Sequence, residues 1–203
     1  SLPMVTFAAP PDDSAADAAP IVILHTNDVH CGIDDAIGYA GLAAYKAEME
    51  AAYGADRVTL LDAGDAIQGG ALGTLSDGAF VVDIMNQAGY DLAVPGNHEF
   101  DYGMENFLTL ADSRADFPWL SCNFMDLTAG TPALDPYLIQ DYGDIQIAYV
   151  GISTPESLTK TAPACFQDEN GNFIYGFCQG QDGAFLYAAV QSAVDSARAQ
   201  GAD

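Results

Sequence analysis

The chain has 203 residues, half of them hydrophobic, and its 29 acidic against 5 basic side chains give a formal net charge of -24. A chain of this size buries a substantial core, as one domain or at most two small ones. Its charge would repel a nucleic-acid backbone or an anionic membrane surface, and no apolar run reaches the ~18 residues of a membrane span, so neither partner is expected. A phosphate-bearing substrate would need a local cation.

Residues 1–20, SLPMVTFAAPPDDSAADAAP, are rich in Ala, Pro and Asp without periodicity, which predicts a flexible lead-in ahead of a folded domain over 21–203. The opening has neither Met nor a charged region followed by an apolar one, as in a mature or trimmed product. Four short, nearly continuous apolar runs follow: IVILHTN (21–27), RVTLLDAGD (57–65), YDLAVPGN (90–97) and IQIAYVGIS (145–153). Each ends in a polar or Gly-rich turn, as expected of strands covered on both faces. Helical patterns fall at 40–53, 79–88, 103–113 and 183–200, the last placing Leu186, Val190, Ala193, Val194 and Ala197 on one face. This alternation predicts an α/β architecture with mainly parallel pairing. The Gly-rich stretch IQGGALGTLSDG lacks the Lys-Ser/Thr ending of a phosphate-binding loop and reads as a flexible loop.

The four cysteines, at 31, 122, 165 and 178, form no CxxC pair, which argues against a structural zinc knuckle. Cys165 and Cys178 bracket FQDENGNFIYGF, whose Asn-Gly signals a hairpin. That hairpin is expected to bring the two sulfurs together, and a disulfide there would favour an extracytoplasmic location; otherwise both remain free. Cys122 reads as a small buried hydrophobe.

In α/β sheets, ligands bind in the crevice beyond the carboxyl ends of the strands. Asp28 and His30 follow the first strand, Asp65 the second, and Asn97 and His98 the third, so three strand ends deliver one polar cluster. Carboxylate, imidazole and amide oxygen are an O/N donor set that Mn, Zn, Mg and Ca all accept. His25 reads as a packing residue or a hydrogen-bond donor behind the ligands rather than a ligand, and Asp62 as structural. Asn97, His98 and Asp101 also suit a capping series for the helix that opens near Gly103.

The three motifs TNDVHCG, DAGDAIQGG and PGNHEFDYG, in this order and spacing, resemble the metallophosphoesterase (calcineurin-like) superfamily, with its DxH, GD and GNHE/D pattern. The stretches ILHTNDVH, GNHEFDYG and GTLSDGAFVVDIMNQAGYD are similar to the 5'-nucleotidase family, and the likeness runs from about Ile21 to Pro155. The resemblance implies a metallophosphatase-type layered β-sandwich flanked by helices. It implies two divalent metal ions, Mn, Zn or similar: Asp28 and His30 on the first, Asp65 bridging, Asn97 on the second. It makes His98 the catalytic histidine and Asp101 the carboxylate that orients it. The implied reaction is phosphoric ester hydrolysis on a nucleotide by attack of a metal-bound hydroxide, in a secreted, periplasmic or cell-surface enzyme.

The family also takes a histidine from a later loop and a closing GHxH-type motif, whereas no histidine follows His98 here. Asp28, His30, Asp65 and Asn97 do not fill two shells of ~4 to 6 positions each. The chain is therefore expected to be the N-terminal portion of a catalytic domain, incomplete at its C-terminus, without the family's separate substrate-binding domain, and inactive or weakly active. The alternatives are a non-catalytic binding module on the same fold, a cyclic-nucleotide or nucleotide-sugar phosphohydrolase, and a relative that cleaves sulfur esters.

Overall fold

The computed structural model describes residues 19–203, so all but the last two residues of the expected lead-in lie outside the described residues. Three parallel strands form the first sheet, in the order β1 (Val22–Thr26), β2 (Val58–Asp62), β3 (Leu92–Ala93). The β1–β2 register runs from Val22 opposite Val58 to Thr26 opposite Asp62. Parallel bridges from Ala93 to Trp119 and from Leu120 to Asp135 carry the pairing onward. The first two strands match the sequence expectation closely, but β3 is only two residues long. Val94 still donates to the Asp62 carbonyl, and Pro95, which has no N–H, then ends the ladder.

Burial separates the strands. In β2, Val58, Thr59, Leu60 and Asp62 are all buried, whereas Ile23 and His25 of β1 are exposed. The expectation that every strand is covered on both faces therefore fails for β1, whose outward face meets no cover among the described residues, and His25 is not packed.

Helix α1 (Gly38–Tyr53) contacts β2 and α3 (Ala79–Ala88), and Tyr39, Leu42, Val81, Val82 and Met85 join Leu60 in one core. The α3 helix stops where Gly89 turns left-handed and caps the Asn86 and Met85 carbonyls. Between β2 and α3, the expected flexible loop contains a short helix, α2 (Ala71–Ser76). Helix α4 (Met104–Ser113) supplies Phe107 to an aromatic half of the core centred on Phe100. The rings of Phe107, Phe124, Phe166 and Phe177 lie 5.1–5.5 Å from that of Phe100, within the range where aromatic pairs attract.

The named strands of the second half pair antiparallel, which corrects the expectation of mainly parallel pairing. Strands β4 (Met125–Asp126), β5 (Thr131–Pro132) and β8 (Tyr175–Gly176) form one small sheet with β4 central. Strands β6 (Tyr137–Asp141) and β7 (Gln146–Val150) form a hairpin. The linker between these two is far too short for a crossover, so the run expected at 145–153 pairs with its immediate predecessor. The Tyr142 hydroxyl in the turn bonds to both Thr59 and Tyr149, tying the hairpin to β2. Helix α6 (Ala184–Ala199) contacts this hairpin; Ala193 and Ala197 are buried and Leu186, Val190 and Val194 half-buried, the face expected from the sequence.

All four cysteines are unpaired, and Cys122 is buried. Gln167 and Phe173 do pair across the turn that contains Asn170 and Gly171. That register places Tyr175 opposite Cys165, three residues short of Cys178, so the expected sulfur pairing does not form. The 165–178 stretch then leaves its own ladder to lend β8 to β4.

Gly151 marks a close approach behind the site: a Cβ there would sit 2.2 Å from the Leu120 carbonyl oxygen. Its own carbonyl accepts the Cys122 N–H at 2.9 Å, so the backbone has no room to yield. Gly151→Ala should lower stability by about 1–3 kcal/mol in urea titration. An unchanged midpoint would contradict the packing described.

Candidate functional site

The loops that leave β1 and β2 lie side by side. Asp28 donates its N–H to the Gly64 carbonyl at 2.9 Å, His30 to that of Asp65 at 2.9 Å and Cys31 to that of Ala66 at 3.0 Å. This pairing holds four non-glycine residues in left-handed backbone conformations: Asp28, His30, Cys31 and Asp65, with φ of 52°, 47°, 61° and 61°. Such conformations cost free energy and persist where surrounding contacts over-determine them, often at functional sites.

The loop after β3 closes the site from the third side. The His98 N–H donates to Asp65 Oδ1 at 2.8 Å. At Gly96 a Cβ would sit 2.4 Å from that same Oδ1, so only glycine admits the approach. Glu99, fully buried, accepts N–H groups from Asp65 at 2.8 Å, Ala66 at 2.8 Å, Ile67 at 3.4 Å and Gly96 at 2.7 Å. Burial pushes its carboxyl up from the ordinary value, while the N–H donors of Asp65, Ala66 and Gly96 pull the other way. Sequence reasoning assigned Glu99 no role; its signal was a carboxylate inside the motif that carried everything else.

His30, Asp65 and His98 each bring a ligand-capable atom within 4.8 Å of the others. The two imidazole rings meet edge to face, with centroids 5.0 Å apart. His30 Nδ1 lies 3.1 Å from the Gln68 carbonyl oxygen, which only accepts, so Nδ1 carries the proton and Nε2 keeps its lone pair. Metal-ligating histidines are oriented in this way. Asp28 Oδ1 lies 3.9 Å from His30 Nε2, and its other oxygen takes the Asn27 amide at 2.7 Å. Asn97 is buried, and its side-chain amide has no hydrogen-bond partner among the described residues. His98 Nδ1 is 2.7 Å from Asp101 Oδ2, which fixes the ring and leaves Nε2 on the side of His30 and Asp65. The Cys31 thiol donates to the Ile67 carbonyl at 3.1 Å and takes no part in the cluster.

The donor set fits a divalent cation: the His30 imidazole and the Asp65 carboxylate meet within 4.8 Å, with the Asp28 carboxylate 3.9 Å from His30 Nε2. The sequence placed Asp28, His30, Asp65 and Asn97 as ligands and His98 beside them. In the structure a ring nitrogen of His98 also lies within 4.8 Å of the His30 and Asp65 ligand atoms.

Asp62, read as structural from the sequence, sits behind this centre. It accepts from the Thr26 hydroxyl at 2.6 Å and the Gly64 N–H at 2.8 Å, and Thr26 pairs in turn with the Tyr90 hydroxyl at 2.8 Å. Burial pushes its carboxyl up to about 7. Since the unfolded value is ~3.9, the folded state holds a proton in this window that the unfolded state releases, and stability falls as pH rises. In metal-free protein, wild-type stability relative to Asp62→Asn should therefore decline from about pH 4 to neutrality, by an amount on the order of a few kcal/mol. Urea midpoints across this range check it, and a difference independent of pH would contradict it.

The chain is similar to known proteins. The calcineurin-like phosphoesterase family matches residues 21–174. A 5'-nucleotidase of Vibrio cholerae is 37% identical over 145 residues, 68% of this chain and 26% of the relative. A snake venom 5'-nucleotidase of Gloydius brevicauda is 32% identical over 173 residues, 76% of this chain and 29% of the relative. The chain thus spans less than a third of the length of these curated relatives. Among solved structures, the sulfate thiohydrolase SoxB of Thermus thermophilus superposes with a TM-score of 0.66 at 28% identity, covering 81% of this chain and 28% of that one. With its α/β fold and the motif residues gathered at three strand ends, the chain belongs to the calcineurin-like phosphoesterase family.

Proposed function

We propose that this chain carries the metal-binding part of a dimetal phosphoric ester hydrolase of the 5'-nucleotidase type, which releases phosphate from nucleotides. The observation that carries the reading is the convergence of His30, Asp65 and His98 within 4.8 Å, in loops locked together by Glu99. The relatives named 5'-nucleotidase support the substrate class. Asp28 and His30 would hold one ion, Asp65 would bridge, and Asn97 would hold the second. Bound divalent ions supply Lewis acidity and lower the pKa of water, the two things that hydrolysis of a phosphate ester near neutral pH requires.

The protein's own groups supply orientation. His30 is held by the Gln68 carbonyl with Nε2 free to ligate. Asp101 holds His98 through Nδ1, so that Nε2–H, when the ring carries both protons, donates to an oxygen of the phosphoryl or leaving group as charge grows there. Four ligating residues do not fill two coordination shells, so this chain alone is proposed to bind metal weakly and to turn over little or nothing. An extracytoplasmic home is proposed with it, supported by a relative named for venom; the unpaired cysteines add nothing to it. A second reading, sulfur-ester hydrolysis at the same ions, draws on the likeness to the sulfate thiohydrolase.

Calorimetric Mn titration of metal-free protein tests the reading, with hydrolysis of adenosine 5'-monophosphate assayed in the same samples. Asp65→Ala should weaken binding by at least about tenfold, with negligible turnover in both proteins. Unchanged binding in a folded Asp65→Ala variant would sink the bridging assignment and favour a non-catalytic module.

A further inference from the structure

Thr161 reaches the His98–Asp101 pair from a distant part of the chain. It follows helix α5 (Ser157–Lys160), is 3% exposed, and turns its hydroxyl toward two acceptors. One is the Asn97 carbonyl; the other is Asp101 Oδ1, at 3.1 Å. The single hydroxyl proton is shared between these acceptors, with Asp101 Oδ1 on the longer arm, while Asp101 Oδ2 is taken by His98 Nδ1. Asn97 is fixed at its carbonyl, and the same planar peptide unit presents the His98 N–H to Asp65 Oδ1. A single hydroxyl thus touches the orienting carboxylate and the backbone on which the histidine is mounted.

The segment that carries Thr161 is itself anchored. The Thr161 N–H donates to the Ser157 carbonyl at 3.1 Å, and the buried Ser157 hydroxyl donates to the Thr154 carbonyl at 2.8 Å. Upstream, the Ser153 N–H donates to Asn123 Oδ1 at 2.9 Å, and the Asn123 amide returns to the Ser153 carbonyl at 2.7 Å. The hydroxyl is therefore delivered from a fixed position beyond β7. An aspartate carboxylate turns easily about its last bond, and one contact to an imidazole does not stop it; a second donor on the far oxygen does.

We propose that Thr161 is a positioning residue for His98, acting through Asp101 and the Asn97 carbonyl. This inference rests on the catalytic reading of His98 and Asp101 given above. A role confined to packing would need only the shape of the side chain, which valine reproduces; positioning needs the hydroxyl, which serine retains.

Low-field proton NMR of the metal-free chain separates the two. The His98 Nδ1–H signal is assigned by its loss in His98→Gln and in Asp101→Ala. In Thr161→Val this proton should exchange with solvent roughly tenfold faster than in wild type, the effect of losing one hydrogen bond to a charged group. Thr161→Ser should restore slow exchange to within about twofold. Thr159→Ala, which removes an exposed hydroxyl from the same segment without touching the pair or the contacts that anchor Thr161, should leave it unchanged. If Thr161→Val does not fold by circular dichroism, Thr161→Ala is measured against the same expectations. Wild-type exchange in the variant without the hydroxyl, or equal acceleration in Thr159→Ala, would overturn the inference. A low-field signal that persists in Asp101→Ala would instead remove the His98–Asp101 pair, and this inference with it.

Discussion

The buried carboxylate of Glu99 is the constraint on which the rest of the site depends. The loop after β2 must present Asp65 and the loop after β3 must present Asn97 and His98, and neither has strand pairing left at that point. Glu99 accepts N–H groups from both loops, Asp65, Ala66 and Ile67 on one side and Gly96 on the other. Ala66 and Ile67 are buried and Asp65 and Gly96 half-buried, so loss of the acceptor leaves several N–H groups short of a partner at once. Phe100, the next residue, is the centre of the aromatic core, so the same short turn anchors the loop to both the polar site and the apolar interior.

This arrangement lets the chain hold strained backbone where the donors sit. Asp28, His30 and Asp65 all take left-handed conformations that most residues avoid, and each is paired by a backbone hydrogen bond or packed by the loop opposite. These residues follow two strand ends, and from them His30 and Asp65 bring side-chain atoms within 4.8 Å of His98. Behind them, the chain of Asp62, Thr26 and Tyr90 joins the ends of β1 and β2 to the start of β3, so the three loops rest on one polar base as well as on one sheet.

The parts of this account that rest on local pattern were legible in the sequence. The apolar runs at 21–27 and 57–65 and the helix at 79–88 fall where the structure has them, because burial and a glycine stop at Gly89 set their limits locally. The place of His30, Asp65 and His98 after strands pointed to their meeting, and their ligand-capable atoms lie within 4.8 Å of one another. What was not legible depends on partners remote in sequence. Strand β7 looks like a parallel strand until β6 is seen to precede it across a tight turn, and Cys165 and Cys178 look paired until the register offers Tyr175. Helix α2 hides in a Gly-rich stretch because Gly73 is required there by contact with Cys31, where a Cβ would lie 2.4 Å from the sulfur. Thr161 carries no signal in sequence at all, since its partners lie some sixty residues upstream.

The central claim is that the loops of β1, β2 and β3 form one cation centre. Its most direct test is a crystal of this chain soaked in Mn, with the ions located by anomalous scattering. The account predicts a peak bonded to His30 and Asp65, with Asp28 beside it and any second peak on the side of Asn97. Peaks confined to surface carboxylates, with none touching Asp65, would contradict it.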